Sequence, residues 1–242
     1  MVGRTRMDEI ERLGEHLASS RCSVAITGAG ISLSAGIGAI DARTLPDAEK
    51  VISISHLRDA PASYYAAARR WFLEPMFTSG PTPSHRALAR LEDQGRVHGI
   101  VTTNLDHLHT LAGSRNVAEI QGSFAVNVCL DCGRRVDDVH IWNQGAAPSC
   151  PDCAGPLAPY PTSSGVGLLA EDVEKARQWV RRAELVVVIG TTGPYGMAYL
   201  DALAPETTLV QINPRRTSFD RLAALNIRRP SDDVLSAVTA LA

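Results

Sequence analysis

Two cysteine pairs, Cys129-Leu-Asp-Cys132 and Cys150-Pro-Asp-Cys153, stand seventeen residues apart near the middle of the chain. Each C-x2-C turn aims two thiolates at one point, and two such turns close a tetrahedral cage around zinc. Cys129, Cys132, Cys150 and Cys153 are therefore the expected metal ligands, and the zinc is structural, because four thiolates leave no open position for a substrate. The sequence on either side needs no metal. Short apolar runs alternate there with amphipathic stretches, the pattern of strands and helices in a parallel, doubly wound α/β sheet. A fold for this chain has to combine that sheet with an inserted zinc ribbon. With 242 residues there is room for one large domain and a small satellite.

The elements follow from pattern and punctuation. Ile10, Leu13 and Leu17 make a helical stripe over 7–18, and Ser23-Val-Ala-Ile-Thr27 reads as a buried strand. Residues 38–80 hold no convincing strand and read as a loop followed by helices, with Tyr64, Tyr65, Ala68, Trp71 and Phe72 on one apolar face. Ser84 is the expected cap of a helix through Leu91, which Gly95 ends. Strands are expected at 97–103, 117–120, 185–190 and 208–212, and helices at 105–112, 171–182 and 197–203. A last helix opens at Ser231 with Asp232 and Asp233 in its first turn. The expected division is a nucleotide-binding domain of 1–37, 81–123 and 161–242, with a small lobe made of helical residues 38–80 and zinc ribbon 124–160.

Bulk properties exclude several classes. A net charge near −2 gives no global field for nucleic acid or a membrane surface. The longest apolar runs, such as Leu185 to Ile189, are too short to cross a bilayer. A polar amphipathic helix follows the basic N-terminus, where a secretory signal would need an apolar stretch. Five cysteines, four of them in knuckles, fit a reducing compartment, so a cytoplasmic location is expected. The fifth, Cys22, is expected to be a small buried residue.

Polar segments fall at four expected strand ends. Thr27-Gly28-Ala29-Gly30-Ile31-Ser32 follows the first strand. Glycines there let the backbone approach a pyrophosphate, and the following helix would offer its N-terminus to the charge. Leu33 breaks the G-x-G-x-x-G spacing, and no acidic residue closes a second strand about twenty positions on, so hydride transfer is disfavoured. Thr102-Thr103-Asn104-Leu105-Asp106-His107-Leu108-His109 follows the second strand, with Asn104 and Asp106 able to project into a cleft. His107 and His109 read more readily as packed or solvated residues than as ligands. Gly190-Thr191-Thr192-Gly193 and Gln211-Ile212-Asn213 close two later strands with groups suited to a ribose or phosphate. Together they outline a dinucleotide cleft along one sheet edge.

These segments carry a resemblance. GAGIS at 28–32, P-x-x-S-H-R-A-L-A-R-L at 81–91, TTNLDHLHTLAG at 102–113, EI-x-GSF at 119–124, the two knuckles, and the later GTT and IN segments occur in the order seen in sirtuins. The chain resembles that family over nearly its whole length. The resemblance implies a Rossmann-like domain and a small zinc-plus-helical lobe, with NAD+ bound between them and consumed as a co-substrate. Carried over, Gly28, Ala29, Gly30 and Ser32 would cradle the phosphates. Thr103, Asn104 and Asp106 would line the nicotinamide and ribose pocket. Gly190, Thr191, Thr192 and Asn213 would hold the adenosine side, with Asp232 or Asp233 near the adenine. Arg43 would complete the cofactor set through an Asp-x-Arg displaced by two residues from its usual place.

The chain also departs from the family. Sirtuin deacylases place their general-base histidine in the turn written here Glu119-Ile120-Gln121-Gly122-Ser123, and this chain has Gln121. An amide does not titrate near neutral pH, and loss of a general base costs on the order of 10²–10⁴ in rate. Thr103 stands where glutamine is usual. The Phe-Gly-Glu segment that pairs with a peptide substrate is absent, and Pro161 has no N–H for strand pairing. A sirtuin class linked to macrodomain proteins carries glutamine at the same turn and acts as a protein ADP-ribosyltransferase. The expected function is thus NAD+ cleavage with transfer of ADP-ribose to a protein side chain or to water, Asn104, Asp106 and Gln121 being the catalytic set. The expected protein substrate includes a macrodomain-linked carrier. A protein-lysine deacylase weakened by Gln121 and a non-catalytic NAD+ sensor are the alternatives.

Overall fold

The computed structural model describes residues 2–38, 53–143, 147–161, 168–193 and 197–241. Arg43 and the segment 162–167 lie outside them. The chain opens with a helix over Val2–Ser19, then strands β1 (Ser23–Thr27), β2 (Gly99–Thr102) and β3 (Val117–Glu119). An antiparallel sheet follows, of β4 (Gly122–Cys129), β5 (Arg135–Asp137) and β6 (Leu157–Pro161), in the order β5-β4-β6. The large sheet is completed by β7 (Leu185–Ile189), β8 (Thr208–Ile212) and β9 (Leu225–Ile227). Its order is β3-β2-β1-β7-β8-β9, parallel throughout.

Strand periodicity sorts the core. On one face Ala25, Ile100, Val187, Val210 and Ile212 meet Leu13, Leu17, Leu88, Leu91, Val234 and Leu235 from helices Val2–Ser19, Pro83–Asp93 and Ser231–Leu241. On the other, Val24, Ile26, Val101, Val186 and Val188 meet Ala176 and Val180 of helix Ala170–Arg182, with Met197, Tyr199 and Phe219. Every residue of β1 and β7 is buried, because helices cover both sides. A third cluster belongs to the helical segment and the small sheet. Tyr64, Tyr65, Phe72 and Met76 pack there on Phe124 and Trp142. Trp142 is fully buried, and its indole N–H donates to the Phe124 carbonyl at 2.9 Å and to Asn127 Oδ1 at 3.1 Å. The Tyr65 hydroxyl donates to the Leu157 carbonyl at 3.0 Å, fastening helix to ribbon. Between helices Pro61–Ala68 and Glu74–Thr78 the chain makes a π-helical turn, Arg69–Leu73. Pro75 has no N–H to continue the α-helical ladder, and the wider turn absorbs that loss.

Several expected elements need correction. Thr82, not Ser84, caps helix Pro83–Asp93, in a capping box closed by His85. The expected helix at 105–112 shrinks to Leu108–Leu111: Asn104 N–H donates to Thr102 Oγ1, and Asp106 Oδ1 accepts from Leu108 N–H at the helix start. Among the described residues no α-helix follows the glycine loop directly, over 29–38. Two 3-10 turns, Ala29–Ile31 and Leu33–Ala35, stand there instead. The stretch 197–203 contains a 3-10 turn, Ala198–Ala202. Cys22 is half-buried. Strands β4 and β9 stand where no strand is expected, and β4 runs through the expected lobe boundary at 123/124. Among the described residues no helix is long and apolar enough to cross a membrane.

Candidate active site

The order of the parallel strands reverses between β1 and β7, and in open α/β sheets ligands bind outside the carboxyl ends of the strands at such a switch point. Gly28 and Gly30 leave β1 there, and Gly190 leaves β7. The two turns touch backbone to backbone: Gly30 N–H donates to the Gly190 carbonyl at 2.8 Å. A Cβ on Gly30 would lie 2.6 Å from Gly190 Cα and O, and one on Gly28 would lie 2.7 Å from Thr191 Cβ. These glycines serve the junction between two strand ends as well as any approach by a phosphate.

Ser32, Asn104 and Asp106 come together across this junction, and all three are buried. The Ser32 hydroxyl donates to Asp106 Oδ2 at 2.7 Å, and Leu108 N–H donates to Asp106 Oδ1 at 3.0 Å. Asn104 Nδ2 donates to Ser32 Oγ at 3.2 Å and to the Gly28 carbonyl at 3.3 Å. Burial pushes the Asp106 carboxyl above the usual carboxylate range, opposed by those bonds from Ser32 and Leu108. Thr103 is half-buried, with its N–H directed at the Thr27 carbonyl.

A histidine pair braces the same strand ends from behind. Thr27 Oγ1 lies 2.9 Å from His109 Nε2, and the His109 and His85 rings stand 4.6 Å apart, centroid to centroid. The Thr82 hydroxyl donates to the Ile31 carbonyl at 3.0 Å, tying this cluster to the glycine loop. Burial lowers both imidazoles, His85 to about 3 and His109 well below its ordinary value, so both are neutral. His107 is different. It adopts a left-handed conformation at φ 58°, and its Nδ1 lies 2.7 Å from Glu119 Oε1, while Ser123 Oγ donates to Glu119 Oε2 at 2.6 Å. This bridge holds the turn that carries Gln121, a half-buried residue.

The far side of the cleft is built at the ends of β7 and β8. Asn213 Nδ2 donates to the Thr191 carbonyl at 3.0 Å, and Ser218 N–H reaches the Thr192 carbonyl at 3.3 Å. Thr191 is half-buried and Thr192 exposed. Asp233 is exposed, whereas Asp232 is engaged: it accepts from Ser34 Oγ at 2.6 Å, from Ser84 N–H at 2.9 Å and from the Ser84 hydroxyl. Asp232 therefore joins the terminal helix to the glycine loop.

The four knuckle cysteines also converge. Their sulfurs lie within 4.8 Å of one another, with Cys129 and Cys153 3.5 Å apart and Cys132 and Cys150 3.6 Å apart. Zn–S bonds of about 2.3 Å in a tetrahedron place sulfurs about 3.8 Å apart, so the donor set fits zinc. Gly155 is packed against it, since a Cβ there would meet Asp131 Oδ2 at 2.5 Å and Cys129 Sγ at 2.9 Å. Cys129, Cys150 and Leu157 form a small core of their own beside the metal position.

The Sir2 family profile matches residues 28–194, from the glycine loop through the end of β7. The chain belongs to the Sir2 family. A Cutibacterium acnes protein named NAD-dependent protein deacetylase is 35% identical over 240 residues, covering 94% of this chain and 96% of its own. NAD-dependent protein deacetylase 1 of Pyrobaculum aerophilum is 33% identical over 237 residues, covering 94% and 92%. Among solved structures, a Sir2 homologue–NAD complex aligns with a TM-score of 0.81 at 26% identity, over 96% of this chain and 93% of that one. Sir2Tm bound to a propionylated peptide aligns at 0.78 and 27%, over 96% and 98%.

In this Sir2-family chain the strand-end motifs read from the sequence lie along one edge of the sheet. Asn104, Asp106, Ser32 and Gly28 form one connected cluster, and Asn213 and Thr191 another. The Glu119–His107–Ser123 bridge and the His85–His109 pair are not among the expected site residues. One signal was available: threonine three residues before histidine at 82–85 is the spacing of a capping box.

Proposed function

We propose that this Sir2-family chain breaks the bond between nicotinamide and ribose in NAD+ and passes the ADP-ribosyl group to a protein side chain or to water. One observation carries the reading: a complete, buried Ser32–Asp106–Asn104 cluster at the switch point, with an amide at position 121. Leaving-group departure builds positive charge on the ribose carbon, and positioned polar and anionic groups stabilise such charge without moving a proton. Taking a proton from a ribose hydroxyl after an acyl oxygen has attacked needs a base, and Gln121 is not one. In this reading Gly28, Ala29, Gly30 and Ser32 hold the phosphates, with Arg43 completing the set. Thr103, Asn104 and Asp106 face the nicotinamide ribose, and Gln121 hydrogen-bonds the ribose or the acceptor. Gly190, Thr191, Thr192, Asn213 and Asp233 take the adenosine side. Residues 1–37, 81–123 and 161–242 bind the dinucleotide. Residues 38–80 and 124–160 form the lobe that closes on it, with zinc holding the ribbon in shape. Where the acceptor is a protein, a macrodomain-linked carrier is the kind expected from the class that Gln121 resembles.

A second reading is protein-lysine deacylation. The names of the relatives and the peptide-bound Sir2Tm structure favour it. The two share nicotinamide release and differ in the acceptor. Incubation with NAD+ and an acetyl-lysine peptide, followed by mass spectrometry, separates them. The first reading expects nicotinamide release without peptide and ADP-ribosylated protein or free ADP-ribose. Peptide-dependent release with O-acyl-ADP-ribose overturns it in favour of deacylation. Tight NAD+ binding without any nicotinamide overturns both and leaves an NAD+-binding module.

A further inference from the structure

His107 holds a backbone conformation that a glycine would adopt freely. Among the described residues, His107 and Ala154 are the non-glycine residues with positive φ, at 58° and 61°. Ala154 follows Cys153 in the second zinc knuckle. A β-carbon in the left-handed region is penalised, and strain kept against that penalty commonly marks a side chain in use. Capping is not that use, because His107 precedes helix Leu108–Leu111 and its side chain makes no cap bond there.

The ring reaches across the strand ends instead. His107 Nδ1 lies 2.7 Å from Glu119 Oε1, and a carboxylate only accepts, so Nδ1 carries the proton. Glu119 Oε2 accepts from Ser123 Oγ at 2.6 Å, and the Glu119 side chain is only 10% exposed. The turn 119–123, with Gln121 at its centre, is thus closed on one buried carboxylate, and that carboxylate is tied to the residue next to Asp106. Both members of the bridge lie within electrostatic reach of the Asp106 carboxyl. Burial is the main force raising it, Glu119 adds to the rise, and His107 opposes it. Main-chain bonds already join the two segments: Ile120 N–H donates to the Thr102 carbonyl at 3.1 Å, and Phe124 N–H to the Leu105 carbonyl at 3.0 Å. The side-chain bridge is therefore not what keeps them together. It adds a fixed spacing between the Gln121 turn and Asp106.

We propose that His107 is a positioning residue for NAD+ cleavage: acting through Glu119, it sets the Gln121 turn against the Asn104–Asp106 segment. The inference rests on the reaction proposed above and adds a residue to it.

The test is steady-state nicotinamide release from NAD+ by the full chain as wild type, His107→Gly and His107→Asn, with a thermal melt of each. Glycine relieves the backbone and removes the donor. Asparagine keeps an amide N–H at the position of Nδ1 and tolerates the left-handed region. His107→Gly is expected to melt within about 5 °C of wild type, because relief of strain offsets most of the lost hydrogen bond. Its kcat is expected to fall roughly 10- to 100-fold with KM for NAD+ moved less than about 3-fold, the pattern of reacting groups held slightly out of place. His107→Asn is expected to recover kcat to within about 3-fold of wild type, since the donor to Glu119 is restored. A glycine variant with wild-type kcat overturns the inference and leaves the proposed reaction standing. So does a loss shared equally by KM, a loss that comes with a fall in Tm of more than about 10 °C, or one that asparagine does not recover. Wild type that binds NAD+ and releases no nicotinamide overturns the reaction and this inference with it.

Discussion

Substituting Gly30 with alanine tests whether the switch-point junction is held by backbone contact. The added Cβ would lie 2.6 Å from both Cα and O of Gly190, where ordinary contacts begin at 3.4 Å. The neighbours are main chain, so neither can swing aside as a flexible side chain would. One turn has to retreat, which also stretches the 2.8 Å bond from Gly30 N–H to the Gly190 carbonyl. Overpacking costs about 1–3 kcal/mol and a weakened hydrogen bond about 1 kcal/mol, so a loss of about 2–4 kcal/mol is expected. For a chain of this size that lowers Tm by roughly 5–15 °C. Gly190→Ala meets the same wall from the other side, at 2.7 Å from Ile31 N, and carries a left-handed φ of +62° besides. Because the two residues share one interface, the double variant should lose less than the sum of the single losses. Gly14→Ala is the control. It lies in helix Val2–Ser19 with nothing within 4 Å of its Cβ position, so alanine should stabilise by up to about 1 kcal/mol. Thermal melts followed by circular dichroism, with dinucleotide titrations on the folded variants, read both effects. If Gly30→Ala melts with wild type, or Gly14→Ala falls as far as Gly30→Ala, the reasoning from close approach is refuted.

Three further outcomes are expected. Gln121→His should raise acyl-peptide turnover by about 10²–10⁴ while nicotinamide release changes less, and equal gains in both would show that position 121 does not act as a base. Cys132→Ser should lower bound zinc in elemental analysis and loosen the ribbon, while far-UV signals of the large sheet persist; a folded wild type without zinc would refute the metal assignment. The buried pair His85 and His109 makes stability pH-dependent. Their folded pKa values lie below the unfolded value of about 6.5, so the unfolded chain binds more protons below that pH, and stability present above it is lost as pH falls toward about 3. Titration of His85 alone removes about 1.5–2 kcal/mol between pH 6.5 and pH 5, His109 adds to the loss in the same direction, and a flat profile in urea melts over that window would contradict their neutral burial.

Much of the site was legible because strand ends announce themselves. A run such as Leu185–Ile189 followed by Gly-Thr-Thr marks both the strand and its polar edge, and β7 begins and ends where the pattern places it, save for the terminal glycine. Three-residue β9 and bulged β4 were not legible, because neither offers enough alternation to declare a period. The cap of Pro83–Asp93 was misplaced by two residues because two hydroxyl residues compete there, and only packing against Ile31 chooses Thr82.

By itself, then, the sequence determined the alternation that makes a parallel sheet, the four sulfurs of the zinc site, the cleft motifs and the glutamine at position 121. These are local: each depends on residues a few positions apart or on side-chain chemistry alone. Tertiary structure decided the rest. Only the sheet order shows that Gly30 and Gly190, distant in the chain, must both lack a Cβ. Ser32 finds Asp106 across 74 residues, and Arg228 pairs with Asp220 across the end of β9. Such pairings depend on which strand ends lie side by side, and chain spacing carries no record of that.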